Sequence, residues 1–220
     1  LAVTADSPSL AREDLDAATD VARALDLEQL VIRTSELSDP SYRANSPSRC
    51  YICKRTLFEE LEPIAERFSA DAILYGAIGD DHADDRPGQR AATEHRVRAP
   101  LQEVGLLKCE VRELARQLGL PNWDRPQNAC LSSRIPHGQD VTEEKLKQIE
   151  EAEAFLRTQG FRQVRVRHHG TVARVEVEPA AVTRFSDPSL RAEVDRALRA
   201  VGFESVSIDP RGYHHGGADG

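Results

Sequence analysis

The sequence predicts an α/β protein with a mostly parallel sheet, because short apolar strands alternate with amphipathic helices along its first part. The runs QLVIR at 29–33 and AILY at 72–75 are typical of short buried strands, and LAVTA opens the pattern at 1–5. Apolar residues at helical spacing occupy 15–25, 57–68 and 111–118. In such sheets ligands bind beyond the carboxyl ends of the strands.

The pattern changes after Gly138, which predicts a second, small α+β domain. A helix is expected from about Thr142 to Thr158, followed by an antiparallel hairpin that turns at His169-Gly170. A further helix and a last strand are expected over 190–201 and 205–208. The predicted domains are therefore 1–138 and 139–213, with a tail at 214–220. The stretch from Gly212 is rich in Gly and His, and we expect it to be mobile.

Composition excludes several classes of protein. No apolar run approaches the ~20 residues of a membrane helix. The formal charge of −8 argues against a broad nucleic-acid surface. Four cysteines without a visible secretory signal indicate a reducing compartment, the cytoplasm. The chain starts on a strand and without methionine, so we expect that its original N-terminus is missing.

Cys50 and Cys53 form a C-x-x-C motif at the start of a predicted helix, between Arg49 and Lys54. A helix N-terminus and flanking cations stabilise thiolates. Cys130 is a third candidate ligand, far away in the sequence. Three thiolates on a four-iron cluster leave one iron open to a substrate atom. Zinc, which usually takes four ligands in structural sites, and redox or structural thiols remain alternatives.

The fourth cysteine, Cys109, precedes the helix of 111–118. Free cysteine is commonly a small buried hydrophobe, and we interpret Cys109 in this way.

Acidic residues follow the predicted strand at 72–75. Asp80 and Asp81 come first, and the run DDRPG follows at 84–88. Carboxylate pairs suit Mg²⁺ beside phosphates. The alternative is a solvated acidic loop made of ordinary turn residues.

Basic and hydroxyl side chains recur in the second part and suit an anion. Ser133 and Arg134 follow Cys130, and Arg165 and Arg167 lie on one face of a predicted strand. The alternative for that face is solvent. Glu153 lies on the apolar stripe of its helix, where a carboxylate needs a partner, such as Arg134 or a hairpin arginine.

Together these segments resemble the LarE family of ATP-dependent sulfur transferases. The matching runs are RCYICK (49–54), DDRPG (84–88), LGLPNWDRPQNACLSSRIPHG (118–138) and VRVR (164–167). The resemblance reaches to about Tyr213, and it implies a PP-loop domain, similar to adenine nucleotide hydrolases, followed by a small α+β domain for substrate binding and oligomerisation.

The resemblance also implies a function. LarE enzymes convert the carboxylates of pyridinium biscarboxylic acid mononucleotide to thiocarboxylates, in the biosynthesis of the nickel-pincer nucleotide that matures lactate racemase. Some members sacrifice the sulfur of one cysteine near Ser-Ser-Arg. Others hold a 4Fe-4S cluster on three cysteines and transfer a cluster-bound sulfide, and this sequence looks like that kind, with Cys50, Cys53 and Cys130 as ligands. The implied cofactors are the cluster, ATP and Mg²⁺.

Further roles follow from the resemblance residue by residue. Lys54 and Cys130 match positions at the reacting centre, and Asp80 and Asp81 match an acidic segment near the nucleotide. The positions that match contacts to the phosphate and pyridinium of the substrate are Ser133, Arg134, Glu153, Arg165 and Arg167.

The PP-loop of the family, Ser-Gly-Gly-x-Asp-Ser, is expected to precede residue 1, so that this 220-residue form binds ATP poorly. The family implies a homotrimer or hexamer acting on a small mononucleotide. A PP-loop tRNA thiolation enzyme and a non-catalytic zinc-binding scaffold are the alternatives. The acidic balance and the long run at 118–138 argue against the tRNA enzyme.

Overall fold

The computed structural model describes residues 1–83 and 87–214. It divides the chain into two compact units. The first contains Leu1–Ser7 and Arg12–Arg125, and the second contains Pro8–Ala11 and the described residues from Pro126 onward. The predicted DDRPG segment lies mostly outside the described residues, because Asp84, Asp85 and Arg86 are not among them.

The first unit has an α/β core in which two strands pair in parallel. β1 (Ala2–Asp6) pairs with β2 (Gln29–Arg33), from Ala2 opposite Gln29 to Asp6 opposite Arg33, and α1 (Arg12–Ala24) connects them. The parallel pairing confirms the predicted sheet type. The predicted strand at 72–75 is wrong in extent, because only Leu74 pairs there, in a single parallel bridge to Arg98.

The remaining helices of this unit follow β2. They are α2 (Pro40–Arg43), α3 (Arg49–Arg67), α4 (Pro87–Glu94), α5 (Pro100–Glu103) and α6 (Lys108–Gln117). α3 and α4 pack through the buried side chains of Phe58, Ala91 and Ala92. This packing fixes the long helix that carries the C-x-x-C motif.

The second unit is an α+β arrangement. A short 3₁₀ turn (Leu131–Arg134) precedes α7 (Glu143–Thr158), and Thr142 caps α7 by accepting a hydrogen bond from the Lys145 amide. The other elements are β3 (Val164–His169), β4 (Val172–Val177), α8 (Pro188–Ala200) and β5 (Ser205–Ile208). β4 lies in the middle of the sheet, antiparallel to β3 and parallel to β5.

The two faces of this sheet differ in chemistry because side chains alternate along each strand. One face carries Val164, Val166 and Val175, which join Leu156 and Leu198 in the hydrophobic core. The other face carries the polar residues of the same strands, namely Arg165, Arg167, Arg174 and Glu176.

The predicted domain boundary after Gly138 and the division of the structure differ in two segments, because 8–11 and 126–138 belong to the second unit. Residues 126–134 belong to the second unit because they bind its helix and hairpin. Arg134 pairs with Glu153 of α7, and the Ser133 carbonyl accepts a hydrogen bond from Arg167 of β3.

No helix in the part of the chain that the structure describes is long and apolar enough to cross a membrane.

Candidate functional site

The C-x-x-C motif lies in the first two turns of α3. Cys50 is exposed and Cys53 is half-buried. The preceding residue, Arg49, is buried and donates to the side chain of Asn45, which anchors the start of the helix. The motif therefore lies on an anchored helix start, where Cys50 is open to a ligand and Cys53 is partly covered.

Lys54 follows on the same helix and lies against aromatic rings. Its ammonium nitrogen is 5.1 Å from the ring centroid of Tyr75 and 5.8 Å from that of Phe58. The aliphatic part of the Lys54 side chain also packs closely against Gly88, since a Cβ at this glycine would lie 3.2 Å from the Lys54 Cγ. The rings and the glycine give Lys54 a defined position, which suits a cation that meets an anionic ligand.

The two predicted acidic residues of this unit bind backbone amides. An Asp80 carboxylate oxygen accepts from the Lys108 amide at 2.6 Å, at the start of α6, and Asp81 accepts from the Ile78 amide at 3.0 Å. One oxygen of each carboxylate thus has a structural role, as the turn interpretation expects.

The start of α6 also carries Cys109, which is exposed, so the interpretation of Cys109 as a buried hydrophobe is wrong.

In the second unit, Arg134 is the centre of a buried polar cluster. Neither its side chain nor that of Glu153 is exposed. Arg134 Nε donates to Glu153 Oε1 at 2.8 Å and Nη2 to Oε2 at 3.0 Å. Its remaining donors bind Asn128 Oδ1 and the carbonyl oxygens of Ala129 and Cys130. All five N–H groups of the guanidinium therefore have acceptors within the protein.

These contacts fix the loop that carries Cys130, whose thiol is exposed. Ser133 Oγ donates to the Cys130 carbonyl at 2.7 Å, and Arg134 donates to the same carbonyl at 2.9 Å. The backbone of this exposed cysteine is thus fixed by hydrogen bonds from two side chains.

Glu153 remains ionised although it is fully buried. Burial by itself would raise the pKa of this carboxyl. The charge and hydrogen bonds of Arg134, the charge of Arg157 and the amide of Val166 outweigh burial and leave the pKa below its ordinary value. The expectation that Glu153 pairs with an arginine is confirmed, and of the two candidates the partner is Arg134. Arg157, one helical turn further along, is a second partner at 3.1 Å.

Arg167 forms the next ion pair, on the polar face of the sheet. It contacts Glu176 across the hairpin at 2.9 Å and donates to the Ser133 carbonyl at 3.0 Å. Arg174 also contacts Glu176, at 3.3 Å. The exposed fraction of Arg167 is only 5%, so the solvent-face alternative does not hold for this strand.

Arg165 differs from its neighbours because none of the ion pairs found among residues 1–83 and 87–214 includes it. It is 4% exposed, and its Nη1 and Nη2 donate to the carbonyl oxygens of Val164 and Gln127. Burial and the nearby charges of Arg134 and Arg167 lower its pKa to about 10. A buried guanidinium without a carboxylate partner is a candidate binding group for an external anion.

One group of side chains has the composition of a metal site. The ligand atoms of Glu176, Asp209 and His214 lie within 4.8 Å of one another. Arg211 binds Asp209 through two nitrogens and, with burial opposing it, lowers the pKa of that carboxyl to about 2. Because guanidinium groups already neutralise both carboxylates, this group is an ion-pair cluster.

The chain was compared with known proteins. No protein-family model matches it. An uncharacterized protein of Synechocystis is 40% identical over 216 residues, which cover 98% of this chain and 81% of that protein. The pyridinium-3,5-bisthiocarboxylic acid mononucleotide synthase of Lactiplantibacillus plantarum is 35% identical over 215 residues, which cover 98% and 77%.

The chain belongs to the LarE family. An uncharacterized protein of Methanocaldococcus jannaschii is similar over a shorter region, with 32% identity across 75% of this chain and 64% of that protein. The resemblance to the LarE family that the sequence indicated is therefore confirmed as family membership.

Within this LarE family member, the structure brings Ser133, Arg134, Glu153, Arg165 and Arg167 together in the second unit, along with the backbone of Cys130. Lys54, Cys50, Cys53, Asp80 and Asp81 belong to the first unit.

Sequence reasoning missed three partners, Arg157, Glu176 and Tyr213. Two of them had a visible signal, because Arg157 follows Glu153 by four residues and Glu176 shares the alternation of the polar strand face.

Proposed function

We propose that this chain is a sulfur transferase that converts the carboxylates of pyridinium-3,5-biscarboxylic acid mononucleotide to thiocarboxylates. The name of its Lactiplantibacillus plantarum relative supports the product class. The observation in this chain that carries the proposal is Arg165, a buried guanidinium that pairs with no carboxylate among the described residues and is close enough to Arg134 and Arg167 to feel their charges. A mononucleotide supplies the missing anion with its phosphate.

The residues take separate roles in this proposal. Arg165 binds the substrate phosphate, and Arg167, fixed by Glu176, adds positive charge beside it. Arg134 and Ser133 hold the backbone of Cys130, because their donors already bind that loop. Lys54 provides a positioned cation for the reacting carboxylate or its leaving group.

The proposed reaction has two steps. A substrate carboxylate attacks the α-phosphorus of ATP, the bond to pyrophosphate breaks, and an acyl adenylate forms. Replacement of AMP by sulfur then forms a C–S bond and breaks the C–O bond, so one carboxylate oxygen leaves with AMP. In this proposal the first unit is the PP-loop nucleotide domain, and Asp80 and Asp81 use their carboxylates beside Mg²⁺-ATP.

The three cysteines fit an iron–sulfur cluster by their chemistry. Each offers a thiolate ligand, Cys50 and Cys130 are exposed, and three thiolates are one fewer than a structural zinc site usually takes. A 4Fe-4S cluster held by these cysteines would supply the sulfide for the second step.

Substrate binding tests the anion site. We expect isothermal titration with the biscarboxylic acid mononucleotide to show binding that Arg165→Gln weakens about 10- to 100-fold, the equivalent of one charge-assisted hydrogen bond. Arg162→Gln changes an exposed arginine three residues earlier and serves as the matched control. Equal affinity of Arg165→Gln and wild type would contradict the assignment of Arg165.

Metal analysis tests the cysteines. Protein reconstituted anaerobically should contain iron and labile sulfide, which Cys50→Ser, Cys53→Ser and Cys130→Ser should each reduce strongly and Cys109→Ser should not. Zinc without iron or sulfide would overturn the cluster assignment.

Sulfur transfer itself can be tested with the chemically prepared acyl adenylate of the substrate, which bypasses the ATP step. Mass spectrometry should detect replacement of one oxygen by sulfur in the product and an intact Cys130. Conversion of Cys130 to dehydroalanine would instead identify this cysteine as the sulfur donor.

A further inference from the structure

The segment after β5 returns to the central strand of the second unit. The Asp209 amide donates to the Val175 carbonyl at 2.9 Å, and the Tyr213 amide donates to the Val177 carbonyl at 2.7 Å. Between them the Gly212 amide donates to the Asp209 carbonyl at 3.0 Å, which closes a turn. Gly212 and Tyr213, which the sequence assigned to a mobile tail, thus make backbone hydrogen bonds, and the mobility of the tail stays a prediction. His215 onward lies outside the described residues.

Gly212 allows this return because of its backbone conformation and its close packing. Its φ is +70°, a region that side chains disfavour. A Cβ there would lie 2.7 Å from the Val177 carbonyl oxygen and 2.9 Å from the Pro179 Cα. The buried carboxylate of Asp209 supports the turn by accepting from the backbone amide and the guanidinium of Arg211. The segment therefore reaches Tyr213 along one defined path.

The ring of Tyr213 lies over the buried guanidinium of Arg165. The Arg165 Cζ is 5.1 Å from the ring centroid. Two sides of the guanidinium are held by the carbonyls of Val164 and Gln127. The ring adds a flat, electron-rich surface, which attracts a guanidinium electrostatically.

We propose that Tyr213 is a positioning residue that holds the Arg165 guanidinium in the orientation in which it binds phosphate. The role of Arg165 toward a phosphate rests on the proposed function, whereas the ordering of its side chain by the ring does not. Tyr213 itself need not contact the substrate.

The ordering can be measured without any ligand, by ¹⁵N NMR of the Arg165 guanidinium, assigned through Arg165→Lys. Slow rotation about the Nε–Cζ bond gives separate Nη signals. We expect separate signals in wild type and in Tyr213→Phe, which keeps the ring, and merged signals in Tyr213→Leu. Circular dichroism should show that Arg165→Lys and both Tyr213 variants fold, and His214→Ala is the matched control within the same segment.

Binding provides the second measurement. Tyr213→Leu should bind the mononucleotide about two- to tenfold more weakly than wild type, the strength of one cation–π contact, and Tyr213→Phe should restore the affinity. The corresponding nucleoside, which lacks the phosphate, should bind all variants equally.

The two proposals fail in different ways. Separate Nη signals and full affinity in Tyr213→Leu would overturn the positioning role and leave the proposed function standing. Absence of mononucleotide binding by wild type, with Nη signals that still depend on the ring, would overturn the proposed function and leave the ordering of Arg165 by Tyr213 intact.

Discussion

Arg134 and Glu153 form a two-point ion pair in which neither side chain is exposed, with N–O distances of 2.8 and 3.0 Å. Two buried charges are costly to remove from water, and here each is compensated by the other and by backbone groups. Glu153 also accepts from the Val166 amide at 3.0 Å, so the pair joins α7, β3 and the Cys130 loop.

The first prediction concerns this pair. Glu153→Gln should lower the free energy of unfolding by about 3 to 5 kcal/mol, because it leaves the Arg134 charge buried without its counterion. Urea unfolding at pH 7 measures the change. Glu151→Gln, on the exposed side of the same helix, should change stability by at most ~1 kcal/mol. A similar small effect of both variants would show that Arg134 is neutralised by other groups.

The second prediction concerns pH. His168 is buried, its Nε2 lies 2.9 Å from Gln148 Oε1, and its ring packs against Phe203. Burial and the charge of Lys145 lower its pKa to about 4, from an ordinary value of 6.5. The unfolded chain therefore binds a proton between these values while the folded chain does not, and stability falls as pH drops through this window.

At pH 5 His168 should lower the free energy of unfolding by about 2 kcal/mol relative to pH 7.5, because each pKa unit corresponds to about 1.4 kcal/mol. His169 shifts in the same direction, so the measurement is the difference in urea unfolding between wild type and His168→Gln at pH 7.5 and pH 5. His137→Gln, at an exposed histidine, is the control. If wild type and His168→Gln lose equal stability between the two pH values, the neutral buried state of His168 is refuted.

The third prediction uses two glycines with similar backbones. Gly212 and Gly160 both have positive φ, +70° and +83°. Among the described residues other than its chain neighbours, no atom lies within 4 Å of a Cβ built on Gly160. Substitution by alanine should cost about 1 to 2 kcal/mol at Gly160 through φ alone. Gly212→Ala should cost more, because its Cβ meets the Val177 carbonyl. Equal losses in urea unfolding would mean that the segment from Asp209 to Tyr213 shifts without resistance.

The fourth prediction asks whether Asp80 stabilises the start of α6 through its hydrogen bond or through its negative charge. Asp80→Ala should destabilise the protein by about 1 kcal/mol, because the Lys108 amide at the start of α6 loses its acceptor. Asp80→Asn keeps an acceptor oxygen and should lose only a few tenths of a kcal/mol. Thermal unfolding measures both, with exposed Asp71→Ala as the control. A full loss in Asp80→Asn would show that the negative charge, and not the hydrogen bond, stabilises the helix start.

Local sequence patterns predicted most of the secondary structure. The strand at 29–33, the helix capped by Thr142 and the hairpin follow from alternation, helical spacing and turn residues, which are encoded within a few neighbouring positions. The strand at 72–75 was overestimated because an apolar run of four does not determine how many partners it finds. Within the described part of the chain Leu74 pairs only with Arg98, far enough along that no local pattern indicates the contact.

The residue types of the site could be predicted from the sequence, but the contacts between their side chains could be predicted only in part. Glu153 was expected to meet either Arg134 or a hairpin arginine, since a carboxylate on an apolar stripe requires a cation, and the structure selects Arg134. The burial of Arg165 was not foreseeable, because alternation assigns it to a strand face without showing what covers that face. Tyr213 lies 48 residues further along, and only the folded chain shows its contact with Arg165.

The polar face of the hairpin has a consequence for how the chain selects its fold. If β3 slipped by one residue against β4, every side chain of β3 would change face. Arg165 and Arg167 would then enter the valine-rich core beneath α7 and α8, while Val164 and Val166 would meet Glu176. Burying the arginines and placing valines beside Glu176 would both cost free energy. We therefore expect the charged face to select a single strand register, even where its ion pairs add little net stability.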